Sequence, residues 1–392
     1  MSLPMKPDDL TRPWLSWALS HRWPDTEVAA ARQIGEISGT ATKLRLELDY
    51  ADAAGERPKT IYVKFGATDF QFTNVAQMGL YETEVFAYTA MLSTSGPFGF
   101  TFARPDCYFA SFQTSPIQGV LLLEDLTDKE TKFNVAIEPF SIAQTAKALE
   151  TLAELHGKSW ENPALRSVQP ILAPVMKLYS HEVSIGAKLF RNLRGHVVPF
   201  ALRDQDRYSN AWSSYIELVR SGPACLLHGD SHFGNSYVRD DGNVGFLDWQ
   251  LLSKGCWVQD VAYFIVSGLD VPDRRRAERD LLAHYLSELR KFNVTPPSFV
   301  EAWQRYKQAM IYSMVVWLGN PNNCQTPEVN LTCLARTAFA MMDLETMDAL
   351  RTFKLVRLRP PTIANHSEWS RKPPGNERAI RELFWVDLLS RT

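Results

Sequence analysis

Leu226-Leu227-His228-Gly229-Asp230-Ser231-His232-Phe233-Gly234-Asn235 is followed closely by Gly245-Phe246-Leu247-Asp248-Trp249-Gln250. Between them lie two strand-like pieces, Ser236 to Arg239 and Val244 to Leu247, joined by Asp240-Asp241-Gly242-Asn243. The Asp-Gly pair is a strong hairpin signal. A hairpin here folds Asp248 back beside Asp230 and Asn235, so that three oxygen-bearing side chains converge. An Asp and an Asn among them suit a hard cation such as Mg²⁺, and the third group is left to handle a proton.

The rest of the chain sets the frame for that cluster. With 392 residues it exceeds what one compact core usually holds, so two lobes are expected. A hydrophobic fraction of 45% is ordinary for a globular protein, and a net charge of −2 gives no reason to invoke nucleic acid or an anionic membrane. No apolar run reaches membrane-spanning length, and the start lacks a basic-then-apolar signal pattern, so no membrane insertion is expected. Five cysteines, scattered and never in a C-x-x-C pair, point to a reduced, cytoplasmic protein without a zinc site or disulfide framework.

Upstream, a mixed, Trp-containing arm runs to about Ala30, and Ile34 to Thr40 reads as a turn with two glycines. Lys43 to Tyr50 alternates, with Leu44, Leu46 and Leu48 on one face and Arg45, Glu47 and Asp49 on the other. That period of two predicts a half-buried strand. Thr60 to Phe65 is the returning strand and carries Lys64. A glycine turn, a strand and a further strand ending in Lys is the layout that covers phosphates, with main-chain donors from Ser38, Gly39 and Thr40 assisting. A lysine at a strand end is ordinarily just solvated. What singles out Lys64 is Glu84, on a helix whose buried stripe includes Val85 and Tyr88; Glu82 is the rival partner, and spacing does not choose between them. Gly119 to Leu123 predicts a central buried strand, ending at Glu124-Asp125-Leu126, where the lobe boundary is placed. Main-chain groups there can meet an adenine edge; the plainer reading is a strand leaving its sheet.

Downstream the chain is mainly helical. Ser141 caps a helix carrying Leu149, Leu152 and His156 that Gly157 is expected to stop, and helices are expected near Leu178 to Leu193 and Tyr208 to Val219. Gln259 to Ile265 reads as a buried helix starting with an acid, Asp260, whose plainer role is an N-terminal cap. Arg274 to Phe292, Glu301 to Leu318 and Leu331 to Leu350 follow as helices. Trp303, Tyr306, Met310, Met314 and Trp317 form a stripe that is either core or the wall of a bulky apolar pocket. The basic tail after Arg351 ends in an amphipathic stretch, Glu377 to Ser390.

Phosphoryl transfer to an alcohol needs an acceptor-orienting base, metal ions on the phosphates and fixed positive charge. A carboxylate suits the first role, Asn235 with Asp248 the second and Lys64 the third. The whole pattern His228-Gly-Asp230-x-His232-x-Gly-Asn235, a hairpin and Leu-Asp248-Trp-Gln250 resembles the aminoglycoside phosphotransferase and choline kinase-like family, relatives of the protein kinases. Asp248-Trp249-Gln250 with Asp260-Val261-Ala262-Tyr263-Phe264, Glu84-x-x-x-Tyr88, Leu123-Glu124-Asp125-Leu126 and Leu152-Ala153-Glu154-Leu155-His156 look most like its ecdysteroid kinase-like branch.

The resemblance implies an α+β, bilobal protein kinase-like fold. An N-lobe with an antiparallel sheet plus helix spans residues 1–125 and binds the nucleotide; a larger, mainly helical C-lobe spans residues 126–392 and binds the acceptor. It implies ATP and Mg²⁺ as cofactors and a small-molecule hydroxyl as acceptor. By the same resemblance Asp230 is the catalytic base, Asn235 and Asp248 hold Mg²⁺, Lys64 contacts phosphates and pairs with Glu84, and Glu124 to Leu126 meet adenine. His228, His232 and Asp260 are then loop scaffold. Gln250 stands where aminoglycoside enzymes commonly carry an acid, which, with the aromatic stripe, favours a bulky apolar alcohol over a cationic, aminoglycoside- or choline-type acceptor. A non-catalytic nucleotide-binding protein of the same fold is the remaining alternative.

Overall fold

Leu44, Leu46 and Leu48 are all buried in β2 (Ala41–Tyr50), as their alternation requires. The computed structural model describes residues 1–37, 41–52, 55–66, 79–93, 95–127, 131–135, 137–169, 173–322 and 324–358. The first part of the chain comprises α1 (Arg12–Ser20), β1 (Val28–Ile37), β2, β3 (Thr60–Gly66), α2 (Leu80–Phe86), β4 (Cys107–Thr114) and β5 (Ile117–Glu124). Its five strands form one antiparallel sheet in the order β1-β2-β3-β5-β4.

The sheet has two different faces. Leu44, Leu46, Leu48, Ile61, Val63, Val120 and Leu122 share a core with Trp14, Leu15, Ala18 and Leu19 of α1. On the opposite face Lys43, Lys64, Leu121 and Ala110 stand in one cross-strand row. Leu121 joins Val85 of α2 and Tyr88, just beyond it, in a core that continues through the helical remainder. Met1–Lys354 accordingly folds as one compact unit.

The remainder contains β6 (Lys132–Phe133), α3 (Ile142–Ser159), α4 (Ala173–Ser184), α5 (Gly186–Leu189), α6 (Gln205–Arg220), β7 (Ala224–Leu227), β8 (Ser236–Val238), β9 (Val244–Phe246) and β10 (Ser253–Cys256). α7 (Val258–Gly268), α8 (Val271–Arg290), α9 (Phe299–Gly319), α10 (Pro327–Asp343) and α11 (Thr346–Leu358) complete it. α3 packs along α8 and α7 along α9, while β7 pairs with β10 and β6-β8-β9 form a small sheet. The architecture is α+β and bilobal, a sheet with its helix followed by a larger helical part. Among the described residues no helix is long and apolar enough to cross a membrane.

Several elements depart from expectation. The stretch read as a glycine turn is largely strand: β1 runs from Val28 to Ile37 and includes Gly35, with a register shift between Gln33 and Gly35. This edge strand is mostly exposed, so it lacks the apolar alternation that marks a strand. β4, which the sequence reading passed over, closes the other edge. Gly157 does not stop α3; a Cβ there would come within 2.7 Å of Phe292, so the glycine makes room for the residue just past the end of α8. The single helix expected from Leu331 to Leu350 is two, broken at Leu344 and Glu345, the latter at φ +50°. Leu3 of the N-terminal arm is buried, and Gln118 Nε2 donates to Pro4 O at 3.0 Å. Ser38, Gly39 and Thr40, and the stretch Glu377 to Ser390, lie outside the described residues.

Leu122, fully buried on the α1 side of the central sheet, provides a test of this layering. Leu122→Ala is expected to cost about 3 kcal/mol through lost burial and an unfilled cavity, read as a lower urea midpoint with an unchanged slope.

Candidate active site

The hairpin predicted after Asn235 is present: Ser236, Tyr237 and Val238 pair with Phe246, Gly245 and Val244, around a turn in which Gly242 has φ +79°. Its return brings Leu247 N–H to Asn235 O at 2.8 Å, and His228 Nε2 donates to Leu247 O at 2.9 Å. His228 Nδ1 accepts from Asp230 N at 3.2 Å, which fixes the proton on Nε2. Fully buried and set against Trp249 at 4.5 Å, His228 ties the start of the loop to the end of the hairpin. Asn235 Nδ2 donates to both Asp230 O and Asp230 Oδ2, each at 3.0 Å. Asp230 is the more open carboxylate, its side chain 23% exposed. His232 Nδ1 accepts from Gly234 N at 3.1 Å, and its Nε2 lies 3.8 Å from Asp230 Oδ2. Burial outweighs the pull of Asp230 and holds the His232 imidazole below its ordinary pKa.

A second, sealed carboxylate supports this loop. Asp260 stands inside α7 with Trp257, not Asp260, at the cap position. His228 N–H and Gly229 N–H donate to its two oxygens at 2.7 and 3.1 Å, Ser231 Oγ–H donates to Oδ1 at 3.2 Å, and His156 Nε2 lies 3.2 Å from Oδ2. Gly229 adopts φ +83°, and a Cβ there would sit 2.0 Å from Leu251 O, so the turn requires glycine. Tyr312 of α9 donates to Gly229 O at 2.7 Å. The loop's polarity is therefore satisfied from behind, and Asp230 is left toward the open side.

The sheet contributes the charges that face it. Lys64, only 4% exposed, lies 2.6 Å from Glu84 Oε2 and 2.9 Å from Asp248 Oδ1. Glu84 is buried whereas Glu82 is exposed, which decides between the two candidates. Burial alone would lower the Lys64 pKa, but Asp248 and Glu84 outweigh it and raise it. Burial and the nearby Asp248 raise that of Glu84 against the pull of Lys64. Asp248 itself has φ +60°, a strained setting for a residue other than glycine. Its second oxygen meets Lys43 Nζ at 3.3 Å. Burial would raise its pKa, yet Lys64 and Lys43 hold it well below the usual carboxylate range. Lys43 was not singled out from the sequence; its cross-strand pairing with Lys64 was the signal available.

At the strand end, Glu124 N–H donates to Asp106 O at 2.8 Å and Glu124 Oε2 accepts from Asp106 N at 3.0 Å. Asp125 receives Arg45 Nε at 2.6 Å and the Thr127 N–H and hydroxyl at 2.9 and 2.5 Å. Burial would raise its pKa, but these hydrogen bonds lower it. The Asp125 side chain is thus committed to the fold, and Leu126 is buried. In the aromatic stripe, Tyr306, Met310, Met314 and Trp317 are sealed in the core, with Trp303 partly buried beside them. The stripe is packing, and its support for a bulky apolar acceptor falls away. At its far end Trp317 meets His232 edge-on at 5.3 Å.

The oxygen donors fit a magnesium ion. Asn235 spends its Nδ2 on Asp230, which leaves Oδ1 without a donor among the described residues, and Asp248 offers a carboxylate kept ionised. Among the described residues no group of three or more His, Cys, Asp or Glu is placed to hold a metal. A cation here would complete its shell with ligand oxygens, the usual habit of Mg²⁺.

The profile of the phosphotransferase enzyme family matches residues 135–298, and that of the ecdysteroid kinase-like family matches residues 39–172. No curated protein matches the chain. Among solved structures, choline kinase LicA from Streptococcus pneumoniae is 15% identical, with 84% of this chain and 98% of that one covered and a TM-score of 0.45. Macrolide 2'-phosphotransferase MphH from Brachybacterium faecium is 15% identical, with 79% and 91% covered and a TM-score of 0.47. A microcompartment-associated aminopropanol kinase is 12% identical, with 87% and 98% covered and a TM-score of 0.46.

The depressed pKa of Asp248 has a measurable consequence. A carboxyl held lower in the folded chain than its unfolded value of about 3.9 contributes stability that is complete above that value and lost as pH falls. Asp125 and Glu154 act in the same sense. Asp248→Asn is therefore expected to flatten, without abolishing, the loss of stability between about pH 5 and pH 2, read from denaturant midpoints.

Proposed function

The chain belongs to the aminoglycoside phosphotransferase and choline kinase-like family of protein-kinase-like fold, and on that premise we propose that it transfers the γ-phosphate of ATP to a hydroxyl of a small molecule. The observation that carries the reading is the convergence of a buried Lys64–Glu84 pair on Asp248, beside a loop that presents Asp230 tied to Asn235. Such an arrangement supplies the fixed charge, the oxygen ligands and the base that phosphoryl transfer requires.

In this reading residues 1–125 bind the nucleotide and residues 126–392 carry the catalytic loop and the acceptor. Lys64, held by Glu84, directs its ammonium to the α- and β-phosphates. Main-chain groups of Glu124, Asp125 and Leu126 meet the adenine, and those of Ser38, Gly39 and Thr40 cover the phosphates. Asn235 Oδ1 and the Asp248 carboxylate would hold Mg²⁺, which supplies positive charge to the phosphate oxygens when bound. Asp230 orients the acceptor hydroxyl and takes its proton as the oxygen attacks, while Asn235 anchors Oδ2. His228, His232 and Asp260 keep the loop in shape and take no part in the chemistry. Five free cysteines suit the reducing cytoplasm.

Asp230→Asn is expected to lower turnover by about 10²- to 10⁴-fold, the usual span for a general base, and to leave nucleotide affinity within about twofold. ADP release in an acceptor screen measures the first, and titration with a fluorescent nucleotide the second. Full turnover by the variant overturns the role of Asp230. A wild-type protein that binds nucleotide yet phosphorylates no hydroxyl in the screen would instead be a kinase-fold binding protein.

A further inference from the structure

We propose that Lys43 is a second phosphate-binding cation of this site, and that in the nucleotide-free protein it occupies the Asp248 oxygen that a metal ion takes over. The inference rests on the kinase reading above and deepens it.

Three observations lead to it. The first is register. Lys43 in β2 stands directly opposite Lys64 in β3, on the sheet face that looks toward the catalytic loop. Like charges directly opposite each other in a sheet destabilise it, and more so where water is scarce. Nothing in the packing asks for a lysine here, since the Lys43 side chain remains 32% exposed. The apolar work of β2 is done by Leu44, Leu46 and Leu48 on the other face.

The second is how the repulsion is relieved. Asp248 lies between the two ammonium groups, with Oδ1 2.9 Å from Lys64 and Oδ2 3.3 Å from Lys43. Both oxygens of the residue expected to bind metal are thus taken by lysines. With Glu84, the cluster holds two positive and two negative charges and is balanced as it stands. A divalent ion on Asp248 would leave it two charges positive, a surplus that phosphate oxygens are suited to meet.

The third is which lysine can move. Lys64 is buried and gripped by Glu84 at 2.6 Å as well as by Asp248. Lys43 is partly exposed, its contact is the longer one, and among the described residues Asp248 is its one carboxylate partner. When a cation takes Oδ2, Lys43 is the group set free. It sits at the start of β2, immediately after the turn that the sequence places over the phosphates. Its natural new partner is a phosphate oxygen of the incoming nucleotide, so Asp248 serves as an internal stand-in for that anion.

The test uses the full-length protein and equilibrium binding, so that it does not depend on knowing the acceptor. Lys43→Met is expected to weaken ADP about tenfold, the loss of one charge-assisted contact, and to leave adenosine unchanged. In the absence of nucleotide it is expected to bind Mn²⁺ severalfold more tightly by electron paramagnetic resonance, because the competitor for Oδ2 is gone. Lys43→Arg, which keeps the charge, restores most of the ADP affinity. The proposal fails if Lys43→Met binds ADP as the wild type does, if adenosine weakens as much as ADP, or if Mn²⁺ affinity does not rise. A wild-type protein that binds neither ADP nor Mn²⁺ sinks the kinase reading, and this role of Lys43 with it.

Discussion

A buried ammonium needs counter-charges, and the site is arranged around that requirement at Lys64. Taking such a cation out of water costs several kcal/mol, and removing one partner of a buried pair strands the other charge. Lys64 is met by Glu84 from α2 and by Asp248 from the far end of the β8–β9 hairpin. One side chain therefore couples three elements, and the sheet cannot shift against the His228–Asn235 loop and its hairpin without exposing or stranding a charge. Leu121 reinforces the coupling from the same row of the sheet, because it belongs to the core that runs on into the helices.

Four aspartates of one chain acquire different tasks from their surroundings alone. Asp260 is sealed and saturated with donors from the loop it supports. Asp125 is spent on Arg45 and Thr127 at the strand end. Asp248 is kept ionised by two lysines, one on each oxygen. Asp230, its side chain 23% exposed, is tied to Asn235 through Oδ2 and faces the open side of the loop. Environment distributes these roles, as it does whenever identical groups titrate differently in one protein.

Much of this is legible in the sequence. The alternation through Leu44, Leu46 and Leu48, the apolar run Gly119 to Leu123 and the Asp241-Gly242 turn are strong local signals, and each element lies where they indicate. The edge strand β1 was not legible, because an exposed strand of three alanines followed by Arg32 and Gln33 carries no alternation and Gly35 reads as a turn. Gly157 misled for a related reason: glycine ends helices often, but here it admits Phe292 from a residue far along the chain. The stripe from Trp303 to Trp317 shows the limit of periodicity, which reports that a face is apolar without saying whether it meets core or ligand.

The site divides along the same line. By itself the sequence determined the chemistry on offer, because His228-Gly-Asp230 to Asn235 and Leu247-Asp248 lie within a short span whose turn brings them together. It also placed Lys64 and Glu84 in the order that a nucleotide-binding sheet demands. Only the tertiary structure decided between Glu84 and Glu82, because that choice depends on which side of α2 is buried. It alone set Asp260 behind the loop and Lys43 on Asp248, contacts between residues 29 to 32 and 205 positions apart. Local propensities act over a few residues, whereas the pairing of buried charges is settled when distant segments must share one dry space.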